Sequence, residues 1–356
     1  MEDRLKQVLE LFAQPAFLAD DGTVTWCNSA ARALLTEGTP LEAILEGNGT
    51  LFSLWDRTGV LQLPLLLSGE EYDAAVRITQ FGTLFVAARR TPELNVTASA
   101  LLSASATLRK PLQQLVTASN ELFERSEELP DAVAPLNQSI YRLLRLCNQM
   151  SDGGKLILRH MDFHRAPTNL TLFLQTFVEQ ARPLVESVGL TLNFTMPEIT
   201  IRGDVDARLL ERALYNLLSN SMNYTPRGGV ITLSAEMQGR FLFLHISDTG
   251  AGISKEVRAN LFERFSEHPL GDPRRGIGLG LPMVREIARL HGGTISVSDT
   301  DGTPGTHVTF SVSLAPTPLE LRSRTVEYDY CYGRHHGLVE LSDALSDAMF
   351  DPGQVL

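Results

Sequence analysis

Three short runs in fixed order constrain this 356-residue chain more than any other feature. The first is Asn216-Leu217-Leu218-Ser219-Asn220-Ser221-Met222-Asn223-Tyr224. Asn216 and Asn220 lie four apart and share one face of a helix expected over Ala207 to Tyr224. The second is Asp248-Thr249-Gly250-Ala251-Gly252-Ile253, a carboxylate at the end of an apolar run followed by two glycines. Glycine here lets the backbone approach a flat ligand that a Cβ would obstruct. The third is Gly276-Ile277-Gly278-Leu279-Gly280-Leu281, which opens an apolar-periodic helix expected over Leu279 to Leu290. The first amides and the positive dipole end of such a helix favour an anion.

That ordered trio resembles the ATP-binding module of the sensor histidine kinases, whose wider superfamily includes gyrase, heat-shock chaperones and mismatch-repair ATPases. The resemblance implies ATP and Mg²⁺ as cofactors and a two-layer α/β sandwich. It gives Asn220 to Mg²⁺, with Asn216, Asn223 and Tyr224 beside it, and Asp248 to the adenine amino group. A carboxylate accepts from that group and discriminates against the carbonyl guanine carries there. Gly250, Gly252 and Ile253 would line the purine. Phe262-Glu263-Arg264-Phe265 resembles the phenylalanine box before the ATP lid, with Arg264 as a phosphate contact. The lid would run from Ser266 to Arg275, where Arg274 and Arg275 either reach the triphosphate or stand as a solvated basic pair. Gly276, Gly278, Leu279 and Gly280 follow as the phosphate-facing helix start, and Gly305-Thr306 resembles the last glycine-containing turn. One position departs: the family's phosphate-holding lysine, three residues after the magnesium-binding Asn, is Asn223. Loss of that cation is expected to weaken phosphate binding by ~1–2 kcal/mol.

The same family carries a box resembling Ser-His-Glu-Leu-Arg-Thr-Pro-Leu on the first helix of its phosphotransfer hairpin. Here the run is Ser105-Ala106-Thr107-Leu108-Arg109-Lys110-Pro111-Leu112. The phosphoacceptor position is Ala106, which has no nucleophilic atom. The acidic neighbour is Thr107, and the second phosphatase position is Lys110. A missing base costs roughly 10²–10⁴-fold, but no base replaces an absent nucleophile. Histidine autophosphorylation at the usual site is therefore expected to be absent.

Around these motifs the chain reads as multidomain α+β, with segments 1–92, 98–155, 165–315 and 316–356. In the first, a strand at Ala16–Ala19, an Asp20-Asp21-Gly22 turn, a strand at Thr23–Asn28 and a helix at Ala30–Leu35 capped by Asn28-Ser29 resemble the opening of a PAS sensor. Later strands are expected at Glu71–Gln80 and Thr83–Ala88. In the second, Leu101, Leu108, Leu115 and Leu122 recur every seven residues, with Leu112 between them. Leu136, Ile140, Leu143, Cys147 and Met150 follow beyond a break near Pro130. Two seams joined by a short loop describe an antiparallel helical hairpin, which pairs with a second copy as a four-helix bundle or serves as an intramolecular linker. In the last segment, Leu338, Leu341, Leu345, Met349 and Phe350 suggest a small amphipathic helix docking on its own protein or on a partner.

A net charge of −11 argues against nucleic acid and anionic membranes as partners. No apolar run reaches the roughly 20 residues of a membrane span. The longest, Gly59–Leu67, is broken by Gln62 and Pro64. Met1-Glu2-Asp3 lacks a signal peptide's charge, and the three cysteines are scattered, so a reduced cytoplasmic setting is expected. Three functions fit: a degenerate kinase acting as an ATP-gated dimeric regulator of a response regulator or another kinase, an active kinase phosphorylating Ser or Thr (Ser103, Ser105 or Thr107 in cis), or a structural dimer with incidental ATP.

Overall fold

The computed structural model describes residues 2–45, 48–55, 59–89, 95–125, 130–158, 161–253, 279–299, 304–314, 331 and 334–350. Helix α1 (Glu2–Glu10) precedes an antiparallel pair, β1 (Ala16–Asp20) and β2 (Thr23–Cys27). Asp21 and Gly22 turn the chain with φ of 46° and 73°, the left-handed pair that matches strand twist in a tight hairpin. Asn28 then caps the short α2 (Ser29–Arg32) and does more than the sequence suggested. Its Oδ1 accepts from the amides of Ala16 and Ala31 at 3.0 and 2.8 Å. Its Nδ2 lies 2.9 to 3.2 Å from the carbonyls of Leu9, Phe12 and Gln14. One fully buried amide thus fixes the exit of α1, the start of β1 and the start of α2.

Helices α3 (Leu41–Ile44) and α4 (Gly49–Leu54) lead to β3 (Val60–Leu67), β4 (Glu70–Thr79) and β5 (Gly82–Arg89). The strands order as β2-β1-β5-β4-β3, all antiparallel. Strand β3 is the run the sequence reading used only to exclude a membrane span. Leu61, Leu63, Leu65 and Leu67 are buried while Gln62, Pro64 and Leu66 alternate outward, the period of a half-buried strand. Pro64 lies beyond Val60–Gln62, the three β3 residues that pair with Ile295–Val297, so its missing N–H costs no bond on that side.

Helices α5 (Asn95–Arg125) and α6 (Pro130–Leu158) run against each other, tied near the end of α5 and the start of α6 by a buried Ser119 hydroxyl donating to Asn137 Oδ1 at 2.7 Å. Leu112, Val116, Ile140, Leu144 and Cys147 are buried, in one core with the C-terminal half of the chain. Leu108 and Leu115 of the seven-residue series, and Leu136 and Leu143 of the second, face the other way and are 42–48% exposed, while Leu101 is half-buried. Neither helix contains a histidine.

The rest forms one mixed layer of sheet under helices. Strands β6 (Ala166–Asn169) and β8 (Arg202–Val205) make a small pair beside α7 (Leu170–Ser187). Strand β7 (Thr191–Thr195) runs parallel to β9 (Val230–Gln238), which continues antiparallel through β10 (Phe241–Asp248), β12 (Thr306–Ser313) and β11 (Ile295–Asp299). Helices α7, α8 (Ala207–Tyr224) and α9 (Gly280–Leu290) cover the face carrying Leu242, Leu244 and Ile246. The opposite face carries Phe241 and Phe243, which join the N-terminal core. Strand β3 pairs with β11 at Val60–Gln62, so the two sheets form one of ten strands. Two short elements close the chain, α10 (His336–Glu340) and a 3₁₀ turn (Asp347–Phe350), both docked on their own protein. No described helix is long and apolar enough to cross a membrane.

Candidate functional site

Helix α8 positions the first set of residues. Asp206 caps it, Oδ1 accepting from Leu209 N at 3.1 Å, while Oδ2 takes the amide of His164 at 2.9 Å. The Asp206 amide itself donates to His291 Nε2 at 3.0 Å. His291 follows α9, and its Nδ1 lies 2.8 Å from the Ile287 carbonyl, which accepts its proton. The imidazole therefore joins the end of α9 to the cap of α8, and burial pushes its pKa from 6.5 down to about 4. Asn216 is buried and donates from Nδ2 to the Arg212 carbonyl at 2.8 Å. Its Oδ1 stands 3.3 Å from where a Cβ on Gly280 would lie, so the first and third sequence runs meet here. Asn220 is one turn further on and partly exposed, and its side chain makes no hydrogen bond to a described residue. Asn223 is half-buried and Tyr224 is 50% exposed at the end of α8.

Strand β10 delivers Asp248, buried between β9 and β12 opposite Ile231 and Thr306. Its Oδ1 accepts from the amides of Gly250 (2.9 Å) and Thr306 (3.3 Å), and its Oδ2 from the Ser221 hydroxyl (3.2 Å). Burial pushes the carboxyl above its usual range, and these three hydrogen bonds pull against that shift. The turn after Asp248 lies flush on α8. A Cβ on Gly250 would sit 2.6 Å from the Tyr224 carbonyl, a contact only glycine avoids. Gly252 has φ 74° and backs onto Gly305, and Ile253 packs against the main core. Leu279 is buried at the start of α9 and touches the helical pair: a Cβ on Gly153 of α6 would lie 2.5 Å from its Cδ1 and 3.5 Å from Leu101 of α5.

The fold thus brings together Asn216, Asn220, Asp248, Gly250, Gly252, Leu279, Gly280 and Thr306. Arg264, Arg274, Arg275, Gly276 and Gly278, with the lid and phenylalanine box, lie outside the described residues. Ser221 was missed as a site residue, although it stands next to Asn220. Its signal is spacing of a kind no local pattern carries, since its partner Asp248 is 27 residues away. Ala106 is exposed on α5, five residues and ~7.5 Å of helix rise beyond Leu101. Ser105 beside it is buried and donates to Leu102 O, and Thr107 donates to Ser103 O.

Residues 205–316, from the end of β8 through β12, match the family of histidine kinase-, DNA gyrase B- and HSP90-like ATPases. The histidine protein kinase DivJ of Caulobacter vibrioides is 30% identical over 223 residues, 61% of this chain and 37% of DivJ. The sensor protein IrlS of Burkholderia pseudomallei is 30% identical over 247 residues, 67% of this chain and 47% of IrlS. The chain thus spans less than half the length of these curated relatives. Among solved structures, full-length ShkA in complex with AMPPNP is similar at a TM-score of 0.50 and 25% identity, covering 62% of this chain and 47% of that one. By these matches residues 205–316 are similar to histidine kinase-type ATPase domains, and the chain is similar to sensor histidine kinases over about two thirds of its length.

Proposed function

We propose that the chain binds Mg-ATP and acts as a cytoplasmic, dimeric, ATP-gated regulator that does not phosphorylate itself on histidine. The observation that carries this reading is a contrast. The side chains read here as facing the purine and the cation stand close together, while the helix beside them offers alanine at position 106 and no histidine anywhere. His291, at the opposite end of α9 from Gly280, is buried with both ring nitrogens engaged and held neutral, so it offers no replacement nucleophile. Asp248 keeps acceptor capacity on Oδ2 for the adenine amino group. Asn220 presents an open amide oxygen, a hard neutral ligand of the kind Mg²⁺ takes alongside phosphate oxygens and water. Mg²⁺ would supply charge neutralisation of the triphosphate there.

The five-stranded antiparallel sheet with short helices between β2 and β3 supports a PAS-like sensor at residues 1–92. The exposed leucines of α5 and α6 support pairing with a second copy, which would bury them in a four-helix bundle. Leu115→Lys combined with Leu143→Lys is then expected to convert a dimer into a monomer in light scattering. An unsubstituted chain that is already monomeric at micromolar concentration rules the bundle out. Partners reading the bundle would be a response regulator or another kinase.

The test is incubation with γ-labelled ATP and magnesium, with a fluorescent ATP analogue titrated in parallel. The expected result is saturable analogue binding without covalent label. Acid-labile label overturns the reading. Acid-stable label favours the second reading, a Ser/Thr kinase, which Ser103, Ser105 and Thr107 on the same turns as Ala106 support as acceptors in cis. Analogue binding that leaves the dimer unchanged in both wild type and Asn220→Ala favours a scaffold.

A further inference from the structure

The C-terminal segment does more than cover an apolar surface: it ties two parts of the molecule together through polar bonds on opposite sides. Toward α6, Asn137 donates to the Phe350 carbonyl (3.0 Å), Gln138 to that of Leu345 (2.8 Å) and Arg142 to that of Ser342 (3.2 Å). These donors, with Arg145, follow helical spacing along one face of α6. Toward α8, His336 Nδ1 meets Glu211 at 2.9 Å, and Gly337 backs onto Tyr215 and Leu184.

Between the two helices lies a buried charge cluster. Arg145 reaches Asp343 of the segment at 2.5 Å and donates to Ser219 of α8 at 3.0 Å. Arg212 of α8 pairs with Asp152 of α6, and its Nε lies 3.6 Å from Glu340 of the segment. Glu340 is 2% exposed. Burying charges in this way returns little net stability, because desolvation offsets the attraction, so its best-attested use is to specify one arrangement over others. Arg212 is one turn before Asn216, whose amide donates to the Arg212 carbonyl, so the cluster reaches the helix that carries the site.

We propose that residues 334–350 are a strap that locks the ATP-binding domain to α6 in a single orientation, and that the nucleotide site moves relative to the helical pair only when the strap is released. The functional consequence rests on the nucleotide reading above; the mechanical one does not. Release would leave α8 and α6 held by their direct pairs, Arg145–Ser219 and Arg212–Asp152, while the sheet and its helices stay intact.

The experiment is hydrogen–deuterium exchange and small-angle scattering on the full chain carrying Glu340→Arg, which places a third guanidinium beside Arg212 and Arg145. Amides of 334–350 and of 136–147 are expected to exchange at least about tenfold faster, and the radius of gyration to rise. Amides of α8 and β10 keep their protection. Exchange rising in the segment alone, with α6 and the solution dimensions unchanged, overturns the strap. So does a segment that already exchanges freely in the unsubstituted protein. Should Glu340→Arg unfold the domain, Asp343→Ala, which removes the Arg145 and Arg142 ion pairs and leaves the Glu340 side of the cluster, is read by the same criteria with a smaller expected rise. Titration of the unsubstituted protein with the fluorescent ATP analogue separates the two ideas: no binding there defeats the nucleotide reading, while the exchange data still decide the strap.

Discussion

Asp248→Asn is expected to weaken ATP binding about 100-fold and to erode the preference for ATP over GTP, with little change in folding. Asparagine has the same shape, so its Oδ1 keeps the amides of Gly250 and Thr306 and the turn stays in place. The Ser221 hydroxyl can rotate to accept from the new amide nitrogen where it donated to Oδ2. On the adenine reading proposed above, what changes is the group facing the purine. A charged acceptor becomes a donor, and the adenine amino group then meets another N–H. Hydrogen bonds to charged groups contribute about 1.5–3 kcal/mol, and the opposed donors add a desolvation cost, which together give the stated factor. Guanine presents a carbonyl at that place, so GTP should lose less. Calorimetric titration with both nucleotides measures the ratio, and thermal unfolding checks the fold. An ATP affinity within threefold of the unsubstituted protein would show that the carboxylate does not read the base.

Part of this site is visible in the sequence because its geometry is local. The i, i+4 relation of Asn216 and Asn220, and the glycines that follow Asp248, are properties of a single helix and a single turn. The bounds of α8, expected over Ala207 to Tyr224, are likewise plain from periodicity. What the sequence hides is tertiary. Ser221 acquires its role only when β10 arrives beside α8. The two expected seams split: Leu108, Leu115, Leu136 and Leu143 stay exposed, while Leu112, Ile140 and Cys147 are buried together with Val116 and Leu144, which the seams did not include. One helix carries both patterns, and periodicity cannot say which faces the chain's own core. The apolar spacing of the C-terminal segment was legible, but its bonds to α6 span about 200 residues and leave no local mark. Strand β3 escaped notice because Gln62 and Pro64, read as breaks in a run, are the outward half of an alternation.

His291 should make the domain acid-sensitive in a defined window. Its pKa falls from 6.5 to about 4, first through burial and then through the Arg165 charge, with the Ile287 carbonyl and Asp206 opposing. Because the folded pKa lies below the unfolded one, the unfolded chain binds the extra proton between these values. Stability is therefore fully present above pH 6.5, falls as pH drops through the window, and levels off below about 4. The shift corresponds to on the order of 3 kcal/mol. A protonated Nε2 could no longer accept from the Asp206 amide, so the link between the end of α9 and the cap of α8 would open first. His291→Leu removes the titration and leaves the Asp206 amide without its acceptor, at a cost of about 1–3 kcal/mol at neutral pH. Carboxylates elsewhere also respond to acid, so the informative quantity is the difference between the two proteins in denaturant unfolding across pH 4 to 7. That difference should shrink as pH falls, because the unsubstituted protein alone loses the contribution of His291. Parallel pH profiles would mean that the imidazole titrates normally despite its burial, and that acid reaches the helix junction by another route.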